Sequence, residues 1–226
     1  MSGVVIPTAI WMVVSYFVCG IPFGLLIAKT QGVDVRKVGS GNIGTTNVAR
    51  SVGKWASALT LLLDAAKGAF STGFAPVFIS HFAGLEPKAF DMGLPLGCCV
   101  GLVFLAAIMG HIFSPYLGFH GGKGIACGLG CALGISIPYG LCLLAGFIAV
   151  VVPTRYVSAG SCTAAASVPI WSLIFGFSWQ AIIPCTCAGL LVLWAHRANI
   201  GRLMRHEESK FSFKKAEPKG SGSATK

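Results

Sequence analysis

Acidic residues are scarce in this chain. Seven Asp and Glu stand against seventeen Lys and Arg, and charged residues of both signs make up 11% of a sequence that is 54% hydrophobic. So little charge could not keep a soluble domain's surface wet, and lipid must cover most of the molecule. The shortage also limits the chemistry. Asp64 is the one aspartate inside an apolar run, so the chain lacks the aspartate cluster that holds a divalent metal in enzymes that transfer phosphatidyl groups. Cys19, Cys98, Cys99, Cys127, Cys131, Cys142, Cys162, Cys185 and Cys187 all fall within apolar runs without a zinc-ligand pattern. They read as small buried hydrophobes, and no metal is expected. No Lys or Arg precedes the first apolar run and no small-residue cleavage site closes it, so that run is expected to be a retained span rather than a secretory leader.

What the chain has instead is long apolar runs. They fall near Val4–Ala28, Trp55–Ser80, Leu94–Phe113, Ile125–Ser136, Pro138–Val152, Val157–Phe177 and Trp179–Ala195. A helix needs about 20 residues to cross a hydrocarbon core of roughly 30 Å. The expectation is an all-α polytopic membrane protein of about seven transmembrane helices. The fourth and fifth runs are short, and Ile125–Val152 could instead be one long span kinked around Pro138, or a pair of short helices that stop below one surface. The basic residues set the orientation. With Met1 outside, seven helices place every Lys and Arg on the cytoplasmic side except Lys88 and the span residue Lys67. The N-terminus is therefore expected outside and the C-terminus in the cytoplasm. The formal charge of +10 then marks a cytoplasmic face that attracts anionic lipid headgroups and anionic substrates. Residues 1–208 are expected to form a single transmembrane domain. Residues 209–226 should be a basic, disordered cytoplasmic tail, rich in Gly, Ser and Lys from Ala216 onward.

The polar chemistry is gathered in three segments at the ends of these runs: Gly39–Arg50 (GSGNIGTTNVAR), Gly110–Ala126 (GHIFSPYLGFHGGKGIA) and His196–Glu208 (HRANIGRLMRHEE). Each combines glycine with Lys or Arg and with Asn, Ser, Thr or His, the set that lets exposed backbone N–H groups and fixed cations hold a phosphate. Gly39, Gly41 and Gly44 match G-x-G-x-x-G, but no strand precedes them, and Thr45 and Thr46 stand where a P-loop needs Lys and then Ser or Thr. The physical content remains. The glycines let the backbone approach an anion, and Ser40, Asn42, Thr45, Thr46 and Asn47 supply neutral donors. Arg50 follows Asn47 by three residues, so a helix starting near Thr45 would put both on one face. A tight turn and an Asn-capped interfacial helix would use the same residues. In the second segment Gly121, Gly122 and Gly124 surround Lys123 just before an apolar helix. A cation there opposes the helix dipole, a placement that makes sense if an anion lies between them. His111 is either a participant or a satisfied interfacial histidine. In the third segment His196, Asn199 and Arg202 recur at i,i+3 and would line one face of a continuing helix. A positive-inside anchor at the helix end accounts for Arg197 and Arg205 but not for Asn199 or His196. Asp64 and Lys67, three apart in the second span, should pair or line a site.

At these residues the chain resembles the bacterial acyl-phosphate:glycerol-3-phosphate acyltransferases, the PlsY family. The first segment is similar to that family's G-S-G-N-x-G-A-T-N-x-x-R, the second to its G-H-x-x-P with G-G-K-G-x-A, and the third to its H-R-x-N-I-x-R-L-x-x-G-x-E. Asp64, Lys67 and Gly68 resemble a further piece. Thr45 stands where the family has Ala, and His206 where it has Gly. The resemblance implies a multi-pass enzyme of the bacterial cell (inner) membrane with its active-site loops on the cytoplasmic face. It would move a fatty acyl group from acyl phosphate to the 1-hydroxyl of glycerol 3-phosphate, giving lysophosphatidic acid and phosphate in the first acylation step of phospholipid synthesis. The implied partners are glycerol 3-phosphate, acyl phosphate and membrane lipids, with no cofactor, metal or nucleic acid. The candidate catalytic residues are His196, Asn199, Lys123 and Ser40. Candidate substrate- and phosphate-binding residues are Gly39, Gly41, Asn42, Gly44, Thr46, Asn47, Arg50, Gly121, Gly122, Gly124, Arg197, Arg202 and Glu208, with His111, Asp64 and Lys67 as further candidates. The hydroxyl proton could go to His196, His111, Glu208 or the substrate's own phosphate. The alternative function is a membrane carrier for glycerol phosphate or a related phosphate ester, whose site should lie near the bilayer midplane.

Overall fold

The computed structural model describes residues 2–211, and among them no strand occurs. The helices are α1 (Ser2–Gly20), α2 (Phe23–Lys29), α3 (Thr45–Ser51), α4 (Lys54–Ala83), α5 (Gly97–Ile112), α6 (Ile125–Ile135), α7 (Ile137–Thr154), α8 (Val157–Ile174), α9 (Trp179–Ala195) and α10 (Arg197–Met204). The all-α expectation holds. Most of the expected tail, including Ala216–Lys226, lies outside the described residues.

Four stretches are long and apolar enough to cross a membrane: Gly3–Lys29, Gly97–Leu117, Ile137–Thr154 and Val157–Ile174. The α9–α10 pair, bent by 58°, makes a fifth if it is counted as one. Two of the seven expected spans fall outside this set. The helix α4 is 30 residues long but carries Asp64 and Lys67 in its middle. The helix α6 has 11 residues, about 16 Å at the usual rise, or roughly half the hydrocarbon core. Residues 125–152 are not one kinked span. Ser136 is extended, with φ −160° and ψ 128°, and Pro138 sits in the first turn of α7, where a missing N–H breaks no intrahelical bond. Two separate helices result, the short α6 and an α7 of spanning length.

Close approach holds the bundle together. The most extensive contact is α4 against α6, where small residues let the backbones touch. A Cβ on Gly130 would stand 1.8 Å from the Ala65 carbonyl oxygen, and one on Gly68 would stand 2.2 Å from that of Cys127. Helices in lipid associate through such small-residue packing because burying apolar surface gains nothing there. Side chains inside the bundle donate to neighbouring backbones: Trp11 Nε1 to Ser71 C=O at 2.7 Å, and Thr72 Oγ1 to Cys131 C=O at 2.8 Å. On the outside, Val5, Ile6, Leu62, Phe70, Ile148 and Leu190 are exposed. An apolar surface of this kind is unsuited to water and suited to lipid.

Candidate active site

The first segment is a loop wound around one side chain. Asn47, in the first turn of α3 and buried, donates from Nδ2 to the carbonyls of Val35 (2.9 Å), Val38 (3.1 Å) and Asn42 (2.9 Å), while its Oδ1 accepts the Ser40 N–H at 2.9 Å. Gly39 has φ +61°, and a Cβ there would stand 2.2 Å from Asn47 Oδ1, so glycine is required for this winding. Both amide hydrogens of Asn47 are committed to three carbonyls. The reading of Asn47 as a phosphate donor is therefore corrected: it shapes the loop. The expected helix does begin at Thr45, with Asn47 buried against the loop and Arg50 exposed. Asn42 Oδ1 accepts Gly44 N–H at 2.7 Å, while Ser40 is exposed and Thr46 is half-buried at the surface.

The second segment folds back on the end of α5. Gly121 N–H donates to Ile112 C=O at 2.9 Å and Gly122 N–H to His111 C=O at 3.0 Å, satisfying two carbonyls that the helix end leaves open. Gly124 has φ +85° and turns the chain into α6. Lys123, between them, is half-buried and donates from Nζ to Asn199 Oδ1. His111 is buried below the turn beside Asp64 and Lys67.

The third segment begins where α9 ends. His196, just past α9, is buried, and its Nδ1 donates to Val192 C=O at 2.8 Å. After the 58° bend, α10 carries Asn199 and Arg202. Asn199 Nδ2 donates to Glu208 Oε1 at 2.7 Å, and Arg202 Nε donates to Glu208 Oε2 at 2.7 Å. Glu208 reaches back because α10 ends in a left-handed residue. Glu207 N–H bonds Arg202 C=O at 2.8 Å, His206 N–H bonds Leu203 C=O at 3.1 Å, and His206 has φ +58°. That pair of bonds is the usual glycine-terminated helix end, which explains why the resembled family has Gly where this chain has His206. Arg197 is not brought to Lys123. It stacks on Trp194, 4.0 Å from the ring centre, and donates to the Trp194 carbonyl.

The segments thus converge. Lys123 of the second bonds Asn199 of the third, and Arg50 Nη2 of the first lies 3.5 Å from the carbonyl of Ser209, next to Glu208. Sequence reasoning missed Ser158 of α8, whose Oγ donates to Glu208 Oε1 at 2.8 Å. A serine among small residues in an apolar helix carries no signal of that contact. Arg202 bonds Glu208 directly, Lys123 bonds the Asn199 that Glu208 also holds, and Arg50 reaches the neighbouring Ser209; the proton affinities of Lys123 and Glu208 respond. Burial lowers Lys123 below the usual ammonium value; the nearby Glu208 charge opposes this, and the Arg202 and Arg50 charges add to it. Burial alone would raise Glu208, but the bonds from Asn199, Ser158 and Arg202 outweigh it and hold the carboxyl below its ordinary value. Burial brings His196 down to about 4, the bond to Val192 partly opposing. His196 is thus neutral at pH 7, with Nδ1–H held by Val192 and a lone pair on Nε2.

An all-helical bundle with this apolar surface and these cations gathered at its helix ends has the build of an integral membrane protein. A family model for glycerol-3-phosphate acyltransferase matches residues 9–206. The glycerol-3-phosphate acyltransferase of Desulfotalea psychrophila is 41% identical over 206 residues, covering 91% of this chain and 98% of its own. That of Geobacter sulfurreducens is 40% identical over 198 residues, covering 88% and 94%. The crystal structure of PlsY (YgiH), an integral membrane glycerol 3-phosphate acyltransferase, superposes in its glycerol 3-phosphate form with a TM-score of 0.80 at 32% identity over 91% of this chain and 96% of that one. The chain belongs to the glycerol-3-phosphate acyltransferase family.

Two outcomes follow from the geometry around Glu208. Its pKa is lower in the folded chain than the ordinary value near 4.3. The carboxylate's bonds therefore add stability that is complete above that value and fades as pH falls toward the folded one. Thermal unfolding in detergent should separate wild type from Glu208→Gln above about pH 5 and narrow the gap steadily as pH falls below about 4.3; a pH-independent gap would show that the charge contributes nothing. The left-handed His206 costs about 1–2 kcal/mol, against roughly 0.5–1 kcal/mol for glycine's freer unfolded chain. His206→Gly should accordingly raise stability by about 0.5 kcal/mol, and a Tm lowered by several degrees would contradict the helix-end geometry.

Proposed function

We propose that the three segments form one active site on the cytoplasmic face of a bacterial cell (inner) membrane, where a fatty acyl group passes from acyl phosphate to the 1-hydroxyl of glycerol 3-phosphate. The products are lysophosphatidic acid and inorganic phosphate. Acyl transfer to glycerol 3-phosphate is the activity of the family; the acyl-phosphate donor, seven spans, the N-terminus outside and the cytoplasmic site belong to the proposal. The observation that carries it is the convergence of Arg50, Lys123 and Arg202, one cation from each segment, around Glu208 and Ser209. One carboxylate cannot neutralise three cations, so the site keeps positive charge for phosphate. A carrier would hold its ligand near the bilayer midplane; these residues sit at helix ends, which favours the enzyme.

The chemistry asks for alignment and charge. The 1-hydroxyl oxygen attacks the acyl carbon, the bond from that carbon to the phosphate oxygen breaks, and phosphate leaves with the electron pair. Acyl phosphate is already an activated mixed anhydride, so anion cradles that hold donor and acceptor in line are sufficient, with no covalent enzyme intermediate. Arg50 and Arg202 fork onto phosphate oxygens and Lys123 supplies a point charge, with Ser40, Asn42 and Thr46 beside them as neutral donors. Asn199, fixed by Lys123 and Glu208, faces the same space. His196 offers Nε2 to the acceptor hydroxyl and positions it. The proton goes to the phosphate of the acceptor itself, which by analogy with phosphoserine titrates near pH 6.

The deciding assay supplies the reconstituted protein with glycerol 3-phosphate and, in parallel, acyl phosphate, acyl-CoA or acyl carrier protein. Lysophosphatidic acid should form from acyl phosphate alone; turnover with the thioester donors and none with acyl phosphate would refute the donor assignment. His196→Gln keeps a hydrogen-bonding group that does not titrate. It should retain more than roughly a tenth of kcat, with the pH profile unmoved. A loss beyond about a hundredfold at saturating substrates would make His196 the base.

A further inference from the structure

Beneath the second segment lies a buried ionic cluster that the transfer chemistry does not use. Asp64 and Lys67, one turn apart on α4, form an ion pair of 2.6 Å with side chains 4% and 3% exposed. Lys67 also donates to the Ile21 carbonyl at 2.7 Å, where Pro22 separates α1 from α2. On the other side His111, in the last turn of α5, brings Nδ1 to 4.0 Å from Asp64 Oδ1. Apart from the ion pair, neither of these two atoms has a hydrogen-bond partner among the described residues.

Both ends of the cluster lead to a polar segment. The His111 ring lies against the second: a Cβ on Gly122 would stand 2.3 Å from Nε2. At the other end, α2 starts just after Ile21 and seats the first segment, where a Cβ on Gly24 would stand 1.9 Å from the Ile43 carbonyl oxygen. An apolar pair of similar volume would join α4 to α1 without the desolvation of two charges. What the charges add is direction, since the ammonium must point at Asp64 and the Ile21 carbonyl together. We infer that Asp64, Lys67 and His111 are positioning residues, a strut from α4 that sets the Gly121–Gly124 turn, and with it the Lys123 ammonium, at a fixed distance from the root of the first segment. This rests on the proposal that Lys123 holds a substrate phosphate.

The test is steady-state kinetics of the paired substitution Asp64→Leu with Lys67→Met, which is apolar and similar in volume, made in wild-type and Lys123→Ala backgrounds. In the wild-type background the KM that Lys123→Ala itself raises, for glycerol 3-phosphate or acyl phosphate, should rise at least about tenfold with kcat changed less than roughly threefold. In the Lys123→Ala background the same pair should change that KM by less than about twofold, because the group it positions is gone. His111→Gln is the second variant, expected to give the same pattern, and it decides the matter if the pair fails to fold. Unchanged KM in the wild-type background, or equal losses in both backgrounds, overturns the strut and leaves Lys123 its role. Wild-type KM values in Lys123→Ala would overturn both the role of Lys123 and the strut.

Discussion

A hydrocarbon surround offers no hydrogen bonds, so every backbone carbonyl freed by a broken or finished helix inside this bundle has to find a partner in the protein. The bundle breaks α1 at Pro22 and ends α5 at Ile112, and the partners arrive from across the structure. Ser114 bonds the Gly20 carbonyl at 2.6 Å, Lys67 bonds that of Ile21, and the Tyr16 hydroxyl bonds that of Phe113 at 2.7 Å. Gly121 and Gly122 cap Ile112 and His111 with backbone N–H groups. The turn that carries Lys123 is therefore also the cap of α5. Its position follows from the need to satisfy that helix end, and the ammonium inherits the position.

The second demand is to gather positive charge without losing it. Cations drawn together at a lipid boundary repel one another, and burial weakens the hold of Lys123 on its proton. Glu208 relieves this with a single carboxylate that accepts from Asn199, Arg202 and Ser158. A second carboxylate would hold the cluster more firmly and leave less of its charge for a phosphate. Burial keeps His196 neutral, which suits the proposed hydrogen bond from a hydroxyl.

Much of this was legible in the residues. Apolar runs marked the helices because lipid requires them, and the three polar segments were visible because Gly, Asn and Arg stand out between such runs. Local spacing also placed α3 at Thr45, the Asp64–Lys67 pair, and Asn199 with Arg202 on one helix. Other features were hidden for definite reasons. Asn47 reads as a donor until the loop closes on it, because an amide that serves a ligand and one that serves a backbone look alike in sequence. Arg197 and Arg202 are equally basic, and the stacking on Trp194 is what turns the first away. Ser158 lies on a helix far along the chain from Glu208.

By itself the sequence determined that the chain is helical and lipid-covered, where its helices run, and which segments carry polar chemistry, because each of these follows from composition and short-range periodicity. The tertiary structure alone decided that the three segments meet, that α6 and α7 are two helices, that Glu208 ties Asn199 to Arg202, and that His206 occupies a left-handed position. These depend on contacts such as Lys123 with Asn199, 76 residues apart, and on backbone angles that close packing imposes. No local pattern encodes a distance of that kind.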